Sequence, residues 1–388
     1  MSYVQTDKKS TLDDILNQLR DVDWEFQKFS SNGHVTSLHP YPARFIPSIP
    51  SAIIDALKPH YNNLNILDPF AGCGTVLAEG LAHGCSVTGI DVNGLANFLQ
   101  RVCTSKILPY HLEELELVIT QITENAHRYQ ETNLEIIDIP NIQHWFEEDS
   151  ITLISDAIKV ANKVKTEEVR LLALLSISRS LVNLSKQKSD TQYVAVEKNQ
   201  NKDDKLKVLI NSFKTVRSYY TKNSVTQLGV SRCILGDSRD PESYRNIVKV
   251  NLVITSPPYP NAYEYWLYHK YRMYWLGMDP IWSRTNEIGV RPHYSGSGKK
   301  DEWDFYKDIL QVLTNIDAVT TEDALQFWVV GDSIIKGRAI DNTKIIVDAA
   351  KEIGWKNVAT YQRPINRKRS SFQGIGKKLH EDIIVLSR

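Results

Sequence analysis

The chain has 388 residues, enough for one large α/β domain carrying a sizeable insertion or for two modest domains. With 42% apolar and 24% charged residues, it has the composition of an ordinary soluble globular protein rather than of a low-complexity or fibrous one. Its 46 basic and 46 acidic residues cancel, so any surface for a polyanion has to be a local patch rather than a property of the whole chain. No run of about 18 apolar residues is present, and the opening MSYVQTDKKSTLDD lacks an apolar secretion segment, so a cytoplasmic protein is expected.

Residues 1–33 are polar and weakly helical, with Leu12, Ile15, Leu16 and Leu19 at helical spacing. The segment LHPYPARFIPSIP (38–50) is expected to be irregular, because Pro40, Pro42, Pro47 and Pro50 interrupt it. From residue 65 onward short apolar runs alternate with helical patterns. NILD (65–68), SVTGID (86–91), CILGD (233–237), NLVIT (251–255), QFWVVGD (326–332) and DIIVLS (382–387) all read as buried strands. Strands separated by helices predict a mostly parallel, doubly wound sheet. Residues 105–230 interrupt it as a helical insertion between two consecutive elements of one sheet. It contains one strongly apolar helix (EVRLLALLSISRSLVNL) and two polar linkers, SKQKSD (185–190) and EKNQNKDDK (197–205). The chain therefore divides into 1–104, the insertion 105–230, and 231–388. The four cysteines form no C-x-x-C pair and the ten histidines no paired ligand pattern, so buried free thiols and no metal are expected.

The first chemical signal is Asp68-Pro69-Phe70-Ala71-Gly72-Cys73-Gly74-Thr75, directly after a strand and before a helix. Gly72 and Gly74 permit a tight turn and close approach of backbone to ligand. Asp68 can accept hydrogen bonds from a cationic amine. Neither phosphate-binding glycine pattern is present. The second signal, Asp91, ends the next strand about 20 residues on, where an acid commonly holds ribose hydroxyls. Together they describe a nucleoside pocket without a phosphate site, which suits S-adenosylmethionine better than NAD. Asp237, ending another strand, could bind the adenine amine.

The decisive signal is Thr255-Ser256-Pro257-Pro258-Tyr259 after the strand NLVI. Two prolines stiffen the turn and remove two amide donors, leaving the carbonyls of Ser256 and Pro257 free to point into a pocket. An exocyclic amine on a base is a poor nucleophile, because its lone pair is delocalised into the ring. Acceptors placed around it favour a pyramidal nitrogen whose lone pair can attack a sulfonium methyl. Tyr259 can stack on a base that has left its helix.

These residues resemble the amino-methyltransferase family of DNA modification enzymes, particularly cytosine-N4 members carrying S-P-P-Y. The resemblance implies a class I S-adenosylmethionine-dependent fold, a Rossmann-like, mostly parallel seven-stranded sheet. It implies that Asp68, Phe70, Gly72, Gly74 and Thr75 bind the cofactor, that Asp91 holds its ribose, and that Asp237 faces its adenine. Ser256, Pro257 and Tyr259 would bind the target base. His39 to Phe45 looks like the family's amino-terminal motif at the cofactor's methionine end, which adds Phe45. His380-Glu381-Asp382 is similar to its closing strand. The implied partner is duplex DNA with a flipped base, with a cognate restriction nuclease as a candidate second partner and neither membrane nor metal. Many cytosine-N4 enzymes place the S-P-P-Y half first; here the cofactor half comes first. The resemblance therefore implies 1–104 as the N-terminal segment and cofactor-binding half, 231–388 as the target-base half, and the insertion 105–230 as a candidate DNA-recognition region. Adenine N6 is the alternative target. RNA or protein amide methylation is disfavoured by Ser256, because those families favour D-P-P-Y or N-P-P-Y. A silent DNA-binding scaffold is disfavoured because every motif position carries a competent residue.

Three flanking features remain. The aromatic run from Tyr259 to Trp275 reads as one helix packing into the core, so only Tyr259 enters the site. The loop 283–300 is either a lid or a plain surface loop. The stretch 355–378 carries seven Lys or Arg and no acid, and Arg363, Arg367, Lys368 and Arg369 are its candidate phosphate contacts.

Overall fold

The computed structural model describes residues 8–26, 33–127, 139–190, 192–223, 229–260, 264–294, 300–364 and 380–388. Two helices lead in, α1 (Lys8–Arg20) and α2 (Ser48–Leu57). The second begins inside the proline-rich segment, contrary to the expectation of irregular chain up to residue 50. Pro50 falls in its first turn, where a missing N–H costs no intrahelical bond.

Then follow β1 (Asn65–Asp68), α3 (Thr75–Ala82), β2 (Ser86–Asp91) and α4 (Gly94–Cys103). A helical layer comes next, α5 (Pro109–His127), α6 (Ile142–Trp145), α7 (Glu148–Lys163), α8 (Glu167–Leu184) and α9 (Lys202–Lys222). A hairpin, β3 (Gln187–Ser189) and β4 (Gln192–Ala195), interrupts it where a linker was expected. The main sheet resumes with β5 (Ser231–Leu235) and β6 (Val250–Thr255). After α10 (Tyr265–Trp275), α11 (Pro280–Asn286), α12 (Arg291–Tyr294) and α13 (Glu302–Val319) comes β7 (Thr320–Val330). The chain closes with a small hairpin, β8 (Ser333–Ile335) and β9 (Arg338–Ile340), then α14 (Asn342–Glu352), β10 (Lys356–Pro364) and β11 (His380–Ser387).

Seven strands form one sheet in the order β10-β11-β7-β6-β1-β2-β5. Counted within that sheet alone, the order from the β5 edge is 3-2-1-4-5-7-6. Strand β11 runs antiparallel to both its neighbours, while β5, β2, β1, β6 and β7 pair parallel. Alternate residues feed opposite layers. Ile66, Leu252, Ile254 and Phe327 pack with α1, α2 and α3, whereas Leu67, Val253 and Trp328 pack with α13 and α14. Burial of both faces is why several of the strands read as short apolar runs rather than as alternating patterns. The layer α5 to α9 has its own core, centred on the buried α8 and shared with α4 and α10. Among the described residues no helix is long and apolar enough to cross a membrane.

The first nine residues of the basic stretch after Trp355 are not loop. They form the edge strand β10, paired with β11 over its full length. The terminal loops of the two hairpins aside, the strand order reverses between β1 and β6, the place where open α/β sheets bind ligands beyond their carboxyl ends.

Candidate active site

Asp68 and Thr255 end the adjacent strands β1 and β6 at that reversal. The Thr255 hydroxyl donates to Asp68 Oδ1 at 2.7 Å, and the Phe70 amide donates to the same oxygen at 3.1 Å. This bond ties together the two turns singled out in the sequence, although 187 residues separate its ends. Burial pushes the Asp68 carboxyl up to about 7 against the pull of those two donors, with the neighbouring Asp91 pushing the same way.

The turn between β1 and α3 depends on glycine. Gly72 and Gly74 have φ of 49° and 87°, and a Cβ on Gly74 would lie 2.6 Å from Cys103 Sγ and 3.1 Å from Gln100 Cα. Asp91 closes the turn from β2. Its Oδ2 accepts the Gly72 amide at 2.8 Å and its Oδ1 the Asn93 amide at 2.8 Å. Each oxygen keeps a lone pair for a further donor. Burial raises Asp91 to about 6. Gln100 donates to the Gly72 carbonyl at 3.2 Å, and the Ser238 hydroxyl beyond β5 donates to the Pro69 carbonyl. Three strand ends therefore meet at one turn. Thr75 is buried at the start of α3, and Phe70 packs edge-on to Trp328 at 6.4 Å.

From the amino-terminal motif, Tyr41 covers Gly72, its ring within 3.5 Å of where a Gly72 Cβ would stand. Its other contacts are stacks on Tyr265 (5.8 Å) and His269 (5.1 Å) of α10. Phe45 packs, half-buried, against the hydrophobic layer that contains Ala71. From Tyr265 onward the aromatic run forms a helix, α10, burying Trp266, Tyr271 and Trp275, while Tyr259 lies outside it.

Sequence reasoning missed Glu287. This buried acid accepts the Tyr265 amide at 3.1 Å and the Trp266 amide at 3.3 Å, capping α10. Burial raises it well above the usual carboxylate range, and Asp91 pushes in the same direction. It lay in a stretch read as loop, with no pattern to mark it. Asp68, Asp91 and Glu287 form no ion pair among the described residues. Buried acids without a cation suit a ligand that brings hydroxyls and positive charge, and they would repel a phosphate. S-adenosylmethionine, a sulfonium nucleoside with a free ammonium, fits this donor set.

Asp237 is placed at the same edge but does not offer a bare carboxylate. Arg239 grips it through Nε and Nη2, at 2.7–3.1 Å, and also holds Asp308 at 2.9 Å and the Asn286 carbonyl at 2.8 Å. Only the lone pairs that Arg239 leaves can face an adenine amine.

On the target side, Pro257 is buried, while Ser256 and Tyr259 are half-buried. The Tyr259 hydroxyl points toward the Val329 carbonyl, 3.5 Å away. Burial first, and the Glu381 carboxylate second, raise it far above the usual phenol range. Of the four candidate phosphate contacts, Arg367, Lys368 and Arg369 lie outside the described residues. Arg363 does not stand on an open surface. It pairs with Glu381, with its side chain 12% exposed. An edge strand next to the closing strand turns it inward.

A seven-stranded sheet in the order 3-2-1-4-5-7-6, one antiparallel strand beside the edge and a glycine turn after its first strand, is the architecture of a class I S-adenosylmethionine-dependent methyltransferase. The chain is similar to the type II methyltransferase M.MvaI of Kocuria varians, 24% identical over 387 residues that cover 85% of this chain and 84% of that one. It is likewise similar to the type II methyltransferase M.MjaII of Methanocaldococcus jannaschii, 22% identical over 402 residues that cover 77% and 72%. These similarities bear out the resemblance to DNA methyltransferases over most of the chain. No family model matches it. Among solved structures, the rRNA methyltransferase aviRa of Streptomyces viridochromogenes aligns over 93% of this chain and 94% of its own at 12% identity, with a TM-score of 0.35.

Proposed function

We propose that this protein methylates an exocyclic amine of a flipped DNA base, with cytosine N4 as the target. The observation that supports the reading is the hydrogen bond between Thr255 and Asp68, which joins the strand end before the S-P-P-Y turn to the strand end before the glycine turn. Bound S-adenosylmethionine supplies an electrophilic methyl group. Asp68 and Gly72–Thr75 hold its amino-acid end in this reading, Asp91 its ribose and Asp237 its adenine. The Ser256 hydroxyl and Pro257 carbonyl accept the two amine hydrogens of the extruded base and turn its lone pair toward the methyl carbon. As the N–C bond forms, the methyl–sulfur bond would break to leave a neutral thioether, and the methylated amine would release one proton to solvent. Tyr259 supports the ring. Alignment of a weak nucleophile with a strong electrophile supplies much of the rate, so neither a covalent enzyme intermediate nor a metal is invoked.

Cytosine-C5 chemistry would need a cysteine in the target turn. Cys73, the nearest candidate by motif, is buried in the cofactor turn, and burial raises its thiol to about 11. The relatives' description as type II methyltransferases supports DNA as the substrate and a restriction-modification setting. Incubating the protein with methyl-labelled cofactor and, separately, duplex DNA, RNA and protein tests the substrate class. Label in DNA alone supports the proposal; label in RNA or protein with none in duplex DNA overturns it.

A further inference from the structure

We infer that Arg363 reads the target base, donating hydrogen bonds to the adjacent ring nitrogen and carbonyl of cytosine while Glu381 holds it in place. The inference rests on the cytosine reading above and adds a residue that the sequence motifs do not contain. Arg363 and Glu381 face each other in the β10–β11 register. Arg363 Nη1 donates to the Glu381 carboxylate. Its Nε is buried and, among the described residues, has no acceptor. A buried guanidinium N–H without a partner is uncommon and costly, and a ligand atom is one of the few things that explains it.

The pair stands at the target turn. A Cβ on Gly331, just past the end of β7, would lie 3.5 Å from Glu381 Cγ and 3.6 Å from Tyr259 Cε2, so acid and ring flank the same glycine. Both charges of the pair act on the Tyr259 hydroxyl. A base supported by Tyr259 with its amine at Ser256 and Pro257 must present the rest of its pairing edge to a neighbouring wall. Cytosine then offers two adjacent acceptors, N3 and O2. The Nε edge of a guanidinium is a fork of parallel donors that matches such a pair. Adenine offers N1 beside a C–H and can satisfy only one donor. Arg363 thus favours cytosine over adenine by chemistry that S-P-P-Y alone does not supply.

The test compares the full-length wild type with Arg363→Lys and Arg363→Gln. The substrate is a duplex containing the methylation site mapped in an expression host, with either cytosine or 3-deazacytosine at the target position. In wild type the loss of N3 should lower kcat/KM roughly ten- to hundredfold, the usual worth of a bidentate base contact. Both variants should lose a similar factor on cytosine and no longer distinguish the two bases, with cofactor affinity by calorimetry within about twofold of wild type. Lysine keeps the charge opposite Glu381 but not the fork, so its behaviour separates base reading from the stability of the ion pair. Variants that discriminate against 3-deazacytosine as strongly as wild type would overturn the inference while leaving cytosine methylation intact. A wild type that marks only adenine at the mapped site would overturn both, and that result is distinct from the first.

Discussion

Replacing Thr255 by valine removes one hydroxyl from the contact that joins the two turns and keeps the side chain's shape. In the wild type Asp68 sits at about 7, with the Thr255 bond the larger of the two hydrogen bonds holding it down. A buried hydrogen bond to a carboxylate contributes about 1.5–3 kcal/mol, and about 1.4 kcal/mol is one pKa unit. Loss of the donor should therefore raise Asp68 by about one unit at the low end of that range. At pH 7 the ionised fraction would then fall from about one half to about one tenth. A cationic cofactor needs the ionised form, so affinity should weaken about fivefold at pH 7 and recover toward wild type above about pH 9. The sign is fixed by linkage: a raised carboxyl binds the cation better as pH rises through its pKa. Calorimetric titration of S-adenosylmethionine at pH 6, 7, 8 and 9 for both proteins measures the midpoint directly. An unchanged affinity and an unchanged midpoint in Thr255→Val would refute the electrostatic account of Asp68.

Two further outcomes are expected. Ser256→Ala should lower turnover by at least about tenfold while cofactor affinity stays near wild type, because the hydroxyl serves the base amine and not the cofactor; turnover assays beside calorimetry check it, and full turnover would contradict the assigned role. Gly74→Ala should destabilise the protein by about 2–4 kcal/mol, the sum of a left-handed backbone cost and steric overlap at Cys103 and Gln100, seen as a lower Tm together with weakened cofactor binding.

The strands were legible because both faces of the sheet are buried, which leaves short apolar cores such as Ile66-Leu67 and Leu252-Val253-Ile254 between polar ends in residues 65–68 and 251–255. Asp68, Gly72, Gly74, Asp91 and Ser256 could be singled out as site candidates because each stands at the end of a strand or in the turn that follows it, and in this fold strand ends are where ligands bind. What the sequence hid depends on pairing across space. Glu287 became a site residue only because α10 starts beside it. Asp237 looked like a free acid until Arg239, two residues on, folded back over it. Arg363 read as a surface cation, since nothing in a basic, polar segment announces an edge strand whose register sets it opposite Glu381. Pro50 looked like a breaker, yet the first turn of α2 tolerates it.

The most direct measurement is the identity of the product. Duplex DNA methylated by the protein is digested to nucleosides and the modified base is identified by mass. The account predicts N4-methylcytosine as the modified nucleoside. N6-methyladenine would contradict the choice of base and the role given to Arg363, and DNA left unmodified by a cofactor-bound protein would contradict the assignment of the S-P-P-Y turn to a DNA target.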